Sequence, residues 1–216
     1  MRIAAFTLSC LTFAICHSAG IRGAMPEEEF DHLRAAALLV DRGEIAPAIP
    51  HLKAHLKRHP DAPMIRAYLA ELLLKVGHEA EAKTHYEQFV RDAAEQEGLA
   101  KHHLVHAHTK LMEIAAEADD TYLEQYHRGV ALYHLASPAS DGGDAWNEST
   151  LHKAATALNA AIAADGNDPR PLLPLMEVQL RMDQPGAARQ TRLALLASLS
   201  DPRWSANERE RIRNGG

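Results

Sequence analysis

Residues 33–60 read LRAAALLVDRGEIAPAIPHLKAHLKRHP, and residues 67–94 read AYLAELLLKVGHEAEAKTHYEQFVRDAA. Laid over one another with a shift of 34 residues, they place Ala36 on Ala70, Leu38 on Leu72, Leu39 on Leu73, Gly43 on Gly77 and Ala48 on Ala82. Leu52 then falls on Tyr86 and Leu56 on Val90. A glycine and a small alanine held at fixed offsets are stronger signs of repetition than apolar residues alone, and repeats at this period mean stacked supersecondary units.

Each unit reads as helix, turn, helix. Leu33, Ala36, Ala37 and Val40 form one stripe at helical spacing over residues 28–41. Gly43 ends that helix, because glycine accepts the left-handed conformation of a C-terminal cap without steric cost. Ala48, Leu52 and Leu56 step by four along the second helix, and the small Ala48 lets the pair approach closely. Pro60 closes the unit, since proline cannot continue a helix. Unit two repeats the plan with Leu69, Ala70 and Leu73, then Gly77, then Ala82, Tyr86, Phe89 and Val90.

The same spacing returns at Ala154, Leu158, Ala161, Ile162 and at Ala188, Arg192, Leu195, Leu196. Between lies an irregular stretch, 97–164. It predicts helices over 97–117 and 120–136, with Thr121 and Glu124 patterned as a capping box. A polar loop, SPASDGGDAWN over 137–147, follows, and a further helix over 148–164. The favoured pairing sets 120–136 against 148–164, with Gly129, Leu132 and Ala136 in the parts of Ala70, Leu73 and Gly77. Helix 97–117 is then an extra element, and pairing 97–117 with 120–136 stays open. A last unit covers 169–200. Over 201–216 a capping helix is expected, with Ser205 and Glu208 as its capping box, Trp204 and Ile212 covering the last unit, and Arg203, Arg209, Arg211 and Arg213 facing water.

Composition agrees with an all-α chain. Apolar residues make up 46% and aromatics 5% of 216, so the core must be built mainly from alanine and leucine, both strong helix formers. The formal charge of −6, with both signs interspersed, leaves no basic face for a phosphate backbone, and no nucleic-acid partner is expected. Residues 1–20 read as a secretory signal peptide: Arg2, an apolar stretch Ile3 to Cys16, then small residues at Ser18 to Gly20. An uncleaved anchor is the other reading, and the only membrane association expected. Both cysteines, Cys10 and Cys16, lie inside this segment, so a cleaved chain carries no disulfide and no thiolate nucleophile. Export to a bacterial periplasm or the extracellular space is the expected localisation.

The period, the small residue eight into each unit, the turn glycine and the terminal proline resemble tetratricopeptide repeats. The likeness covers about 29–96 well and 120–199 fairly. Units of about 29–62 and 63–96 open a domain spanning 21–200. The sequence departs from the pattern at His32 and Arg66, where the family has a bulky aromatic, and at His55, where a small residue is usual. The resemblance implies a right-handed superhelix of antiparallel helix pairs, an α-solenoid whose first helices line a concave groove for a protein or peptide. The positions expected to point into it include Arg34, Ala37 and Asp41 in unit one and Tyr68, Glu71 and Lys75 in unit two. Leu33, Ala37 and Tyr68 stand where chaperone-binding members carry a carboxylate clamp, so that specialised role is not supported.

Histidine is abundant, with 14 in the chain. His102 and His106 stand four apart, the spacing at which two imidazoles share a metal, and His103 and His106 stand three apart. His51, His55 and His59 form a second stripe. Metal sites need three or four ligands, and the nearest carboxylates in sequence are Glu95, Glu97 and Glu113. Surface histidines are the plainer reading, and no cofactor is expected. HEAEAKTH at 78–85 lacks the second histidine of a metalloprotease helix, since Ala82 stands there. The Asp- and Gly-rich stretches at 141–144 and 165–168 lack the ligand layout of a calcium loop and read as turns. No acid, base and nucleophile set converges, and the chain reads as a non-catalytic interaction scaffold or adaptor. The alternatives are a structural or self-assembling envelope component and a histidine-based metal binder.

Overall fold

The computed structural model describes residues 27–94, 101–136 and 143–214. The expected signal peptide over 1–20 lies outside them. Among the described residues all regular structure is helical: α1 Glu27–Asp41, α2 Ile45–Arg58, α3 Pro63–Lys75, α4 Glu79–Ala94, α5 Lys101–Glu117, α6 Thr121–Leu135, α7 Gly143–Ala164, α8 Leu172–Arg181, α9 Pro185–Ala197 and α10 Ala206–Asn214. The chain forms two compact units, one ending at Asp92 and one beginning at Ala93.

One turn geometry recurs in both. Gly43, Gly77, Asp119 and Asp183 all have left-handed backbone, with φ of 77°, 78°, 55° and 53°. After each, the next N–H reaches back to the carbonyl five residues earlier: Glu44 to Leu39 at 2.8 Å, His78 to Leu73 at 2.8 Å, Asp120 to Ala115 at 2.9 Å and Gln184 to Gln179 at 2.9 Å. This is the Schellman closure, which satisfies carbonyls that a helix end otherwise leaves open. It makes helical hairpins of α1–α2, α3–α4, α5–α6 and α8–α9.

In the first unit, Leu33, Ala36, Ala48, Ile49, Leu52 and Leu56 bury themselves against Leu69, Leu72, Leu73 and Ala82. Ala36, Ala48, Ala70 and Ala82 are fully buried, as the repeat requires of its small positions. His55 is buried at the helix contact as well. In the second unit, α6 packs on α5 and on α7 alike. Gly129 meets α7 so closely that a Cβ there would stand 2.6 Å from Leu158 Cγ and 3.2 Å from its backbone nitrogen. Leu151, Ala154 and Leu158 of α7 complete this layer with Val130, Leu175 and Val178.

Several expectations need correction in this region. Helix α5 is no extra element, because its turn into α6 has the geometry of the other hairpins. Ala136 does not act as Gly77 does: its φ is −73° and it is buried. The cap of α6 is Asp120, whose carboxylate accepts from Leu123 N–H at 2.9 Å. Thr121 is therefore already inside the helix, and Glu124 pairs with Arg128 at 2.5 Å instead. Aspartate is as good a cap as threonine, so spacing alone could not choose between neighbours. Helix α7 begins at Gly143, inside the expected loop 137–147. Propensity is a weak prior for where a helix begins. Residues 137–142 lie outside the described residues.

The C-terminal helix caps its unit as expected. Ser205 N–H donates to Glu208 at 2.8 Å and Glu208 N–H to Ser205 Oγ at 3.1 Å, a reciprocal capping box. Trp204 and Ile212 are buried with Leu173, Met176, Ala188 and Leu195. The tail arginines are not all free in water. Arg211 pairs with Glu177, Arg203 with Asp168 and Asp201, and the half-buried Arg209 donates to the carbonyls of Leu199 and Asp201.

Candidate functional site

The expected binding residues of the first unit divide into two groups. Arg34 and Asp41 on α1 and Lys75 on α3 are exposed, while Tyr68 on α3 is half-buried. Burial pushes the Tyr68 hydroxyl up, and the Asp41 carboxylate pushes it further. Tyr68 also packs against the core cluster that holds Leu33 and Ala36 of α1. Glu71 has a different task. It accepts a hydrogen bond from the hydroxyl of the fully buried Tyr86 at 3.0 Å, tying α3 to α4. A buried phenol needs a partner, and sequence spacing could not show that Glu71 supplies it. Lys75 lies 4.0 Å from the same carboxylate. Arg66 at the start of α3 pairs with Asp92 of α4 at 3.2 Å and donates to the Pro60 carbonyl, so the arginine in the place of the family aromatic still holds its hairpin together.

The histidines proposed as a metal pair, His102 and His106, are both exposed on α5. His102 sits against its neighbour His103, with ring centres 3.9 Å apart. Among the described residues, no group of three His, Cys, Asp or Glu side chains gathers as a metal site would.

The histidines that do meet are others. His32 and His51 face one another across α1–α2, Nδ1 to Nδ1 at 3.1 Å, and His108 and His127 do the same across α5–α6 at 3.0 Å. Both pairs are 19 residues apart and occupy the same register about their left-handed turn residues, Gly43 and Asp119. Arg66 and His85 hold the same register about Gly77. Burial depresses the His85 imidazole, with the Arg66 charge among the further causes. The second histidine pair is the buried one, and His134 stacks on His108 with ring centres 6.0 Å apart. Burial holds His108 far below the ordinary histidine value, and the charges that His127 and His134 would carry add to this. Burial likewise lowers His134 to about 4, helped by Lys101, Arg181 and Arg211. At Nδ1–Nδ1 contact one nitrogen must donate and the other accept, so each pair needs at least one neutral ring. His108 and His134 therefore favour the uncharged form.

A second buried polar centre lies at the α7–α8 connection. Asp168 is 5% exposed, binds Arg170 through its side chain at 2.6 Å and Arg203 at 3.2 Å. Burial alone would raise its carboxyl, yet the hydrogen bonds from Arg170 outweigh this and hold it below the usual carboxylate range. Arg170 in turn lies over the rings of Tyr122 and Tyr126, at 5.8 and 5.3 Å. Asp165, expected in an ordinary turn, does hold one: it accepts from Asn167 N–H at 3.0 Å.

The described residues thus form four helical hairpins with two further helices, α7 and α10. No family model matches the chain, and no curated protein matches it. Among solved structures, MamA 41-end from Desulfovibrio magneticus RS-1 is similar at 14% identity, covering 84% of this chain and 100% of that one, with a TM-score of 0.36. A likeness so loose assigns neither an activity nor a partner. Among the described residues, no helix is long and apolar enough to cross a membrane.

Proposed function

We propose that this protein is a non-catalytic interaction scaffold that holds a protein or peptide on the face shared by α1 and α3, and that it works after export. The observation that supports the binding face is the packing of Tyr68 against the cluster that joins Leu33 and Ala36 of α1 to Leu69, Leu72 and Leu73 of α3. It joins a half-buried aromatic ring, suited to stacking on an apolar side chain, to a rim carrying Arg34, Asp41 and Lys75. Glu71, half-exposed beside Lys75, stays part of this surface while it accepts from Tyr86. Export rests on the composition of residues 1–20.

The test is a photoreactive amino acid placed at Tyr68 in the full chain, followed by irradiation of intact cells and mass spectrometry. A discrete adduct is expected, and its yield should fall when Arg34 and Lys75 are both changed to glutamate. Both side chains are exposed, so circular dichroism should show the fold unchanged. An adduct pattern indifferent to the double change discards this face.

A further inference from the structure

Three positions set hairpin α5–α6 apart when the four hairpins are laid over one another at Gly43, Gly77, Asp119 and Asp183. The first holds His32, Arg66, His108 and Leu172, the second His51, His85, His127 and Thr191, and the third Arg58, Asp92, His134 and Ser198. In α3–α4 the first and third form an ion pair, Arg66 with Asp92 at 3.2 Å. In α8–α9 none of the three carries a charge. In α5–α6 all three are histidines, the side chain whose charge changes nearest to neutral pH.

The three rings meet in one stack. His108 of α5 faces His127 of α6, Nδ1 to Nδ1 at 3.0 Å, and its ring centre lies 6.0 Å from that of His134, further along α6. His108 and His127 are both buried. One proton can sit between the facing nitrogens, but a second sets N–H against N–H, and a charge on His134 adds another cation to the same stack. The charges that act on His134 have that sign too: Lys101 of α5, Arg181 of α8 and Arg211 of α10. Tyr126 and Tyr133 turn their rings to His127 and His134, at 4.9 and 5.0 Å. Carboxylates on the neighbouring helices are engaged elsewhere: Glu177 of α8 with Arg211, Glu113 of α5 with Lys110, Glu124 of α6 with Arg128, and Asp120 as the cap of α6. Glu117 is exposed at the turn end of α5. On α7, Glu148 and His152 pair with one another, and both they and Lys153 are exposed.

Within the second unit α5 packs on α6, whereas α6 is also held by α7 and α8. A helix placed so can part from its neighbour without dismantling the others. We propose that α5–α6 is an acid-opened seam: proton uptake by His108, His127 and His134 releases α5 from α6 as one local step, while α6 to α9 stay folded. The step uncovers the face of α6 that carries His127, Ala131 and His134, which helical spacing sets in one row. Opening is coupled to protons because the stack resists charge while closed and each ring charges freely once released. A loss of overall stability in acid does not require this device, since the whole unit could unfold at once. The seam belongs to the second unit and is separate from the α1–α3 face, so either can fail alone.

Amide hydrogen exchange of the full chain, resolved into peptides by mass spectrometry and corrected for the intrinsic rate at each pH, reads the opening. Each histidine that is neutral in place and charged when released contributes a factor of roughly twenty between about pH 7 and about pH 5. His108 and His134 together should therefore lower the protection of α5 amides by roughly several hundredfold over that range. At the acid end α5 should exchange ahead of α8 and α9 by roughly tenfold or more. His134→Gln should cut the fall in α5 to roughly twentyfold, and H108Q/H134Q should remove most of the remainder. His102→Gln, which alters an exposed histidine of the same helix, should keep the parent's fall. If the double variant does not fold, the two single variants decide between them. Loss of protection in α5, α8 and α9 together at one common value would overturn the proposal, by showing that the unit unfolds as a whole. An α5 that acid leaves protected, or a His134→Gln chain with the parent's fall, would overturn it equally.

Discussion

Acidification from about pH 7.5 to about 4.5 should weaken the second unit, and His134 allows the effect to be sized. In the folded chain burial lowers this imidazole from the ordinary 6.5 to about 4, so it stays neutral where the unfolded chain has already bound a proton. The unfolded state therefore holds more protons throughout that interval, and stability must fall as pH falls. It is fully present above about 6.5 and is lost progressively down to about 4, after which this contribution is level. At about 1.4 kcal/mol per pH unit the whole interval is worth ~3 kcal/mol, a sizeable share of the 5–15 kcal/mol that roughly bounds a domain's net stability. His108 acts in the same direction, since its burial and the facing charges of His127 and His134 all oppose protonation. Paired carboxylates such as Asp168 and Asp201 titrate lower and leave the upper part of the window to the histidines. Urea unfolding followed by circular dichroism at constant ionic strength measures the slope. His134→Gln keeps a polar ring-sized group that cannot be charged, and should flatten the profile between about pH 6.5 and about 4.5. A parent whose stability is level across that range, or a variant with the parent's slope, would refute the argument.

Two further outcomes follow from single contacts. Gly129→Ala should destabilise by about 1–2 kcal/mol, because the new Cβ meets Leu158 at 2.6 Å and overpacking outweighs the gain in helix propensity; a chemical denaturation curve that shifts towards greater stability would show that α6 and α7 can part. Asp168→Asn should cost about 1–3 kcal/mol, since it removes the partner of Arg170 and Arg203 from a buried position; an unchanged melting temperature would show that the centre is not what holds the α7–α8 connection to the tail.

Two of the hairpins announce their turns through glycine. Gly43 and Gly77 announce a left-handed residue because little else adopts that conformation freely, and their φ values of 77° and 78° agree. Asp119 and Asp183 make the same turn with φ of 55° and 53°, but aspartate also serves caps and loops, so nothing in the one-dimensional pattern marks them. That is why the sequence leaves the pairing of 97–117 with 120–136 open, although α5 and α6 form a hairpin. The binding face shows the same division. Exposure of Arg34, Asp41 and Lys75 follows from helical periodicity, whereas the bond that ties Glu71 to Tyr86 depends on the next helix.

From the order of its residues this chain is determined to be helical and paired, with its small residues at the crossings and a capped end, because those properties come from local periodicity, turn chemistry and capping. Tertiary structure alone decided that His108 meets His127 and that Gly129 admits Leu158. The physical reason is reach. These contacts join side chains on different helices, and their partners are set by the register and length of whole packed elements rather than by neighbours along the chain.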